Sequence, residues 1–327
     1  MSVVKGGKVM KISLLEPLNV STEEIEELSK ALKDAGHEFV YYNTKTTNVE
    51  ELKRRSQGQD IVMIANNPYP NEVIRAMDNL KMIAVAFTGI DHVGLDACKE
   101  RGIEVRNCAG YSNETVAELV IGLTLSIMRK MEDCGTAVKN GGTSAGLIGR
   151  EIAGKKVGII GCGKIGYRTA KLFQAFGADV IAYQRTPDKE VEKEGIRFVE
   201  LETLLTESDI ISLHVPLNAS TRGFMNAERI AKLKKDAILI NCARGPVVDN
   251  EALAEALNAE KIAAAGIDVF DMEPPIPADY CLLNAKNVTL TPHVAFLSKE
   301  SMIRRAKIEF DNVVSYIKGE KKNICSF

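Results

Sequence analysis

Apolar residues along the chain fall into short continuous runs separated by stretches of helical spacing. Residues 10–15, 39–42, 61–64, 82–86 and 103–105 read as strands. The segments from Ser21 to a Gly36 stop, near 49–55 and over 71–80 read as helices. Ser21-Thr22-Glu23-Glu24 opens the first of these with a hydroxyl followed closely by acids. A longer helix is predicted from about Thr115 to Lys130, and residues 131–151, bearing Gly, Lys and Thr without clear periodicity, read as a surface wrap. Strand runs return at 157–160, 178–183, 210–214, 237–241, 263–268 and 288–290, and an amphipathic helix over 298–318 is closed by Gly319. Runs that are apolar throughout, rather than alternating, fit strands covered on both faces, and their alternation with helices predicts parallel sheets.

The run 157–160 leads straight into Gly161-Cys162-Gly163-Lys164-Ile165-Gly166, and an apolar-periodic segment from Ile165 to Phe176 follows. Strand, Gly-x-Gly-x-x-Gly turn and helix start, in that order, make an anion site. The glycines let backbone N–H groups approach a pyrophosphate, and the helix N-terminus adds partial positive charge. The glycine spacing alone is weak; its flanks make it a dinucleotide fingerprint rather than a bland turn.

Composition narrows the class. A chain of 327 residues exceeds one ordinary core, so two domains are expected. A hydrophobic content of 45% with net charge −2 describes a soluble globular protein and gives no support for nucleic-acid or membrane-surface binding. The start of the chain lacks the apolar stretch of a signal peptide, and the apolar segment 119–128 is too short to span a bilayer. Seven cysteines, with no C-x-x-C pair, fit a reduced cytoplasmic protein without disulfides. Four histidines without ligand spacing point away from a metal site.

Polar residues recur just past the strand runs: Asn241-Cys242-Ala243-Arg244-Gly245, then Asp268 through Glu273-Pro274-Pro275, then Thr291-Pro292-His293. Ligands of open α/β sheets bind outside the carboxyl ends of strands, so Arg244, Glu273 and His293 form one candidate constellation. A guanidinium clasps a carboxylate bidentately, and an imidazole can give a proton to a carbonyl oxygen and take it back. A carboxylate on the far imidazole nitrogen would hold the ring and favour its charged form. That set suits reduction of a 2-oxo acid, with the hydride supplied by the cofactor. Taken singly, each residue has a duller explanation: a surface ion pair, a turn cap, a loop histidine. In the first half, Thr88 and Gly89 follow the run 82–86 and could offer backbone N–H groups to an anion, where a plain βα turn is the alternative.

These blocks, together with Asn113-Glu114-Thr115-Val116-Ala117-Glu118 and Ser212-Leu213-His214-Val215-Pro216-Leu217, resemble the D-isomer-specific 2-hydroxyacid dehydrogenases over residues from about 82 to 301. The resemblance implies a Rossmann-type doubly wound α/β domain at about 108–296. A discontinuous, flavodoxin-like α/β substrate domain would be built from residues 1–107 and 297–327. It implies that Arg244 binds the substrate carboxylate together with Thr88 and Gly89, that His293 is the acid/base and that Glu273 is its partner. Gly161, Gly163, Lys164, Ile165, Gly166, His214, Pro216, Thr221, Cys242, Ala243 and Asp268 would surround the cofactor, with Asp268 near the nicotinamide. Phe296 would wall the substrate side chain. A homodimer formed through the central domain is implied as well.

Two departures stand out. The family often has a Trp before the central strand, whereas this chain has none and reads Lys139-Asn140-Gly141-Gly142 there, which bears on packing and on the dimer arm. At the end of the second strand, where NAD-using members place an acid for the ribose 2′-OH, stand Gln184, Arg185 and Thr186. A neutral Gln removes repulsion of a 2′-phosphate and the next two residues can bind it, which favours NADP; the alternative is that Arg185 stacks on adenine while NAD is used. Cys162 and Cys242 read as packing residues rather than a redox switch. The expected activity is NAD(P)-dependent reduction of a small 2-oxo acid to its D-2-hydroxy acid. The rivals are a nucleotide-sensing corepressor and a phosphite dehydrogenase.

Overall fold

The structure is a computed structural model that describes residues 9–272 and 274–327. It divides into two compact units, one running up to Tyr111 and resuming over Ser298–Phe327, the other Ser112–Leu297.

The first unit alternates strand and helix: β1 (Lys11–Leu14), α1 (Thr22–Asp34), β2 (Glu38–Tyr41), α2 (Val49–Ser56), β3 (Ile61–Ile64), α3 (Asn71–Arg75), β4 (Met82–Val85), α4 (Leu95–Arg101) and β5 (Glu104–Asn107). Its sheet has the order β2-β1-β3-β4-β5 and is parallel throughout, the flavodoxin-like order. β3 and β4 are buried at every position, as their unbroken apolar runs require. The last segment of the chain completes this unit. Buried Arg106 on β5 donates to the carbonyls of Asn312 (3.2 Å) and Glu320 (2.7 Å), and Cys325 N–H donates to Val105 at 2.9 Å.

The second unit opens with α5 (Asn113–Met128) and α6 (Met131–Lys139). There follow β6 (Lys156–Ile160), α7 (Lys164–Ala175), β7 (Asp179–Tyr183), α8 (Lys189–Lys193), β8 (Arg197–Phe198), α9 (Leu201–Glu207) and β9 (Ile210–Leu213). The unit ends with α10 (Ala227–Ala231), β10 (Ile238–Asn241), α11 (Asn250–Asn258), β11 (Ala264–Ile267) and β12 (Val288–Leu290); α12 (Lys299–Ile317) then belongs to the first unit. The seven-stranded parallel sheet has the order β12-β11-β10-β9-β6-β7-β8. Successive side chains of each strand enter opposite faces. Ile211, Leu213 and Leu239 join one core, while Ile210, Ile238 and Ile240 join the other with Val120 and Leu123 of α5.

Two sequence expectations are corrected. Residues 131–139 form a helix instead of an irregular wrap; α6 buries none of its residues, and its spaced apolar positions leave Met131 and Val138 exposed and Cys134 half-buried. The third helix stops at Arg75, well short of Leu80, in a turn through Ala76.

Candidate active site

Because all seven strands run the same way, their carboxyl ends share one edge. The chain leaves β6 for β7 and β8 on one side and returns to β9 on the other, so the crevice of this doubly wound sheet opens between β6 and β9.

At that point β6 ends in Gly161 with φ +92°, and the Gly161 N–H donates to the carbonyl of Tyr183 at 2.9 Å. A Cβ on Gly161 would stand 2.7 Å from the His214 carbonyl oxygen, and one on Gly166 would stand 2.1 Å from the Gly161 oxygen. Both glycines are therefore demanded by the turn itself. Gly163 is different: nothing lies within 4 Å of its missing Cβ, so packing does not require it. Its open backbone leads into exposed Lys164 and half-buried Ile165 at the start of the 12-residue helix α7. An uncrowded backbone at a helix N-terminus fits a dinucleotide pyrophosphate.

After β7, Gln184 Nε2 donates to the Thr186 carbonyl at 2.9 Å, and Arg185 and Thr186 are exposed. The nearest acid in sequence, Asp188, accepts the Glu190 N–H at 3.0 Å to cap α8. Its charge also reaches the Cys162 thiol, which is held at a pKa of about 11, chiefly by burial. After β9, the His214 ring nitrogen Nε2 lies 2.9 Å from the buried Ser212 hydroxyl, and burial pushes the imidazole down to about 4, so it is neutral. The loop beyond is closed on itself: Thr221 Oγ1 donates to the Pro216 carbonyl at 2.5 Å and accepts the Asn218 N–H at 2.9 Å.

The ends of β10, β11 and β12 are tied together by hydrogen bonds. Fully buried Asn241 accepts the Ala243 N–H and donates to the Arg244 carbonyl, both at 3.0 Å, which shapes the turn that carries the guanidinium. Arg244 Nη1 donates to the Ala243 carbonyl at 2.8 Å. The Asn241 carbonyl in turn accepts the Asp268 N–H at 3.0 Å, and the Asp268 carbonyl accepts the His293 N–H at 2.8 Å. One continuous backbone path thus links the Arg244 turn to His293.

His293 adopts φ +55°, an uncommon left-handed conformation for a residue with a side chain. Asp268 is what holds it there. Its Oδ1 accepts from the Thr291 hydroxyl (2.6 Å) and the Val294 N–H (2.8 Å), and Oδ2 accepts from the Ala295 N–H (2.9 Å). Burial raises the Asp268 pKa above its ordinary value, while these bonds and the neighbouring His293 pull the other way. The carboxylate is thus spent on the loop around His293. The Phe296 ring meets the His293 ring edge-on, 5.5 Å between centroids at 88°.

Burial pushes the Cys242 thiol well above its ordinary range, with the Asp268 charge adding to it, in keeping with a packing role. Glu273 lies outside the described residues. Thr88 and Gly89 follow β4 in the first unit, where the Thr88 carbonyl accepts from Asn107 Nδ2 at 2.7 Å. Asn241 and Ser212 had no role in the sequence reading. Asn at a strand end, with its capacity to bond the backbone two residues on, was the available signal. Among the described residues no group of three side chains suited to a metal ion occurs, and no helix is long and apolar enough to cross a membrane.

Residues 121–295 match the family model described as D-isomer specific 2-hydroxyacid dehydrogenase, NAD binding domain. Over 324 residues the chain is 37% identical to a hydroxypyruvate reductase of Blautia hydrogenotrophica, covering 96% of this chain and 99% of that protein. Among solved structures, an acyclic imino acid reductase, Bsp5, in complex with NADPH and D-Arg superimposes with TM-score 0.87 at 28% identity, covering 97% of this chain and 100% of the other. D-Lactate dehydrogenase from Aquifex aeolicus, complexed with NAD and lactic acid, gives TM-score 0.82 at 30% identity, covering 95% and 96%.

Proposed function

The chain belongs to the D-isomer-specific 2-hydroxyacid dehydrogenase family, whose reaction is hydride transfer between a nicotinamide dinucleotide and a 2-oxo acid, and we propose that this member reduces a small 2-oxo acid to its D-2-hydroxy acid with NADPH. The observation that carries the proposal is the path from the Arg244 turn through Asn241 and Asp268 to His293.

With a dinucleotide in the Gly161–Gly166 cradle, the hydride comes from its nicotinamide ring. The rest is done by side chains. Arg244 clasps the substrate carboxylate as a planar fork that stays charged. Thr88 and Gly89 add backbone N–H groups to the same carboxylate. His293 gives its proton to the carbonyl oxygen as negative charge develops there and recovers it in the reverse direction, and Glu273 holds the imidazole ring. Phe296 gives that ring an apolar neighbour and walls the substrate side chain. His214, Pro216, Thr221, Cys242, Ala243 and the Asp268 backbone line the nicotinamide side of the crevice.

Support for NADPH comes from the absence of a carboxylate at 184–186, where exposed Arg185 and Thr186 stand ready for a 2′-phosphate. The second reading is NAD, favoured by Asp188, an acid that stands two residues past Thr186 at the N-cap of α8. Comparing kcat/KM with the two cofactors decides between them. A homodimer is supported by Met131 (50% exposed), Val138 (76%) and Ile148 (88%), apolar side chains on and beside α6 that a second copy would cover. Seven free cysteines suit the reducing cytoplasm. The test of the chemistry is His293→Ala, expected to lower kcat by about 10²–10⁴-fold while leaving dinucleotide binding intact. Unchanged turnover would remove His293 from the mechanism.

A further inference from the structure

The first unit holds a buried charge cluster that the mechanism above does not use. Arg305 on α12 is 1% exposed, and its guanidinium lies 5.3 Å from the Phe87 ring centroid and 5.9 Å from that of Tyr111. Its Nη2 donates to the Leu18 carbonyl at 2.7 Å. Glu309, one turn further along α12, is fully buried, and neither of its carboxyl oxygens has a hydrogen-bond partner among the described residues. Glu16, beyond β1, accepts the N–H groups of Ala65 (2.8 Å) and Asn67 (3.1 Å) through Oε1 and leaves Oε2 unpartnered. Burial pushes Glu309 well above the ordinary carboxylate range, with Arg305 acting against the rise and Glu16 adding to it.

Such a cluster gives little stability in return for its desolvation; a buried ion pair is often no better than apolar residues of the same volume. What a guanidinium offers that a methionine does not is a flat cation stacked on two aromatic rings, with a fixed direction for its hydrogen bonds. Phe87, the ring beneath it, immediately precedes Thr88 and Gly89. Its carbonyl accepts the Cys108 N–H at 2.9 Å, and the His92 ring meets it edge-on at 6.4 Å. The loop is therefore gripped at Phe87 from several directions, and Arg305 supplies the charged one.

We propose that Arg305 is a positioning residue for the substrate: stacked on Phe87 and Tyr111, it fixes the loop through which Thr88 and Gly89 meet the carboxylate. The inference rests on the proposed role of that loop. Glu309 and Glu16 are the acids that accompany the buried cation. Removing Arg305 alone would leave both acids buried without it, so its effect on binding is read in a background where Glu309, the acid without any hydrogen-bond partner among the described residues, is removed with it.

The experiment compares wild type, Arg305→Lys, the double variant Arg305→Met with Glu309→Leu, and Gly89→Pro, which removes one N–H donor from the loop. For each, KM and kcat are measured with glyoxylate and hydroxypyruvate, alongside the NADPH Kd and the thermal midpoint. The expected result is a roughly 10-fold rise in KM for the double variant and a smaller rise for Arg305→Lys, which keeps the charge but loses the flat stack. kcat and the NADPH Kd should stay within about twofold of wild type. An unchanged KM in either folded Arg305 variant, with only the thermal midpoint lowered, overturns the proposal and leaves Arg305 as an anchor for α12. If Gly89→Pro also leaves KM unchanged, the carboxylate role of the loop fails. If Gly89→Pro raises KM while the Arg305 variants do not, only the positioning role fails.

Discussion

Gly245 lies against Phe270 so closely that a Cβ on it would stand 1.8 Å from the Phe270 carbonyl oxygen and 2.0 Å from the carbonyl carbon. Both are backbone atoms, so neither can swing aside. Gly245 directly follows Arg244, and Phe270 lies two residues beyond Asp268, so this contact sets the spacing between the turn bearing the guanidinium and the segment beyond Asp268. Gly245→Ala must push the two loops apart. The expected cost is about 1–3 kcal/mol in unfolding free energy, and a displacement of about 1 Å at Arg244 lowers kcat/KM about 100-fold. Denaturant titration and steady-state kinetics read the two effects; wild-type kcat/KM in a folded variant would show that the spacing is irrelevant to activity.

Asp268 holds His293 by accepting from Thr291, Val294 and Ala295. Asp268→Asn keeps one acceptor oxygen but turns an amide N–H₂ toward a backbone N–H. One donor is left facing another, at about 1–3 kcal/mol of stability. His293, at φ +55°, then loses part of what fixes its backbone. kcat is expected to fall at least 10-fold, with the NADPH Kd changed far less. Equal loss in both would mean that Asp268 serves the cofactor more than the loop.

Cofactor choice is expected to follow residue 184. Gln184→Asp introduces a carboxylate that accepts the ribose 2′-OH of NADH and repels the 2′-phosphate of NADPH. The NADPH/NADH ratio of kcat/KM should fall at least 10-fold. Asp188→Asn makes the opposite control: a fall in NADH activity alone would assign the ribose contact to Asp188.

The neutral His214 makes folding sensitive to acid. Its pKa is lowered from 6.5 to about 4 in the folded protein, chiefly by burial. Between those values the unfolded chain takes up a proton that the folded one refuses, so stability falls as pH drops from about 6.5 to about 4 and is fully present above that window. The shift corresponds to about 3 kcal/mol. Unfolding measured from pH 4 to 7 should show a shallower slope in His214→Gln, which removes the titration. An identical slope would place the acid sensitivity elsewhere.

Most strands were readable because they are buried on both faces, which leaves runs such as the wholly apolar 61–64, whereas the two-residue edge strand β8, with Arg197 exposed, left no such run and was not read. The Gly161–Gly166 turn was readable because its steric demands fall on fixed glycines. The site beyond it was only partly so. Arg244 and His293 announce their chemistry by residue type, whereas Asn241 acts through its conformation, bonding the backbone that carries Arg244. α6 was passed over because its spaced apolar positions, Met131, Cys134 and Val138, are few and stand among Gly135 and Thr136 in a helix that buries none of its residues. Arg305 is hidden for the opposite reason: on an amphipathic helix an arginine reads as solvated surface, and only the fold shows it buried against Phe87.

The discontinuity of the first unit has a bearing on biosynthesis. Arg106 reaches its carbonyl partners at Asn312 and Glu320 only after about 200 further residues have been added. Until α12 leaves the ribosome, the unit begun first stays open along one side, while the enclosed seven-stranded sheet already has every strand it needs. The nucleotide half can therefore mature ahead of the half that precedes it, reversing the usual N-terminal-first order of co-translational assembly.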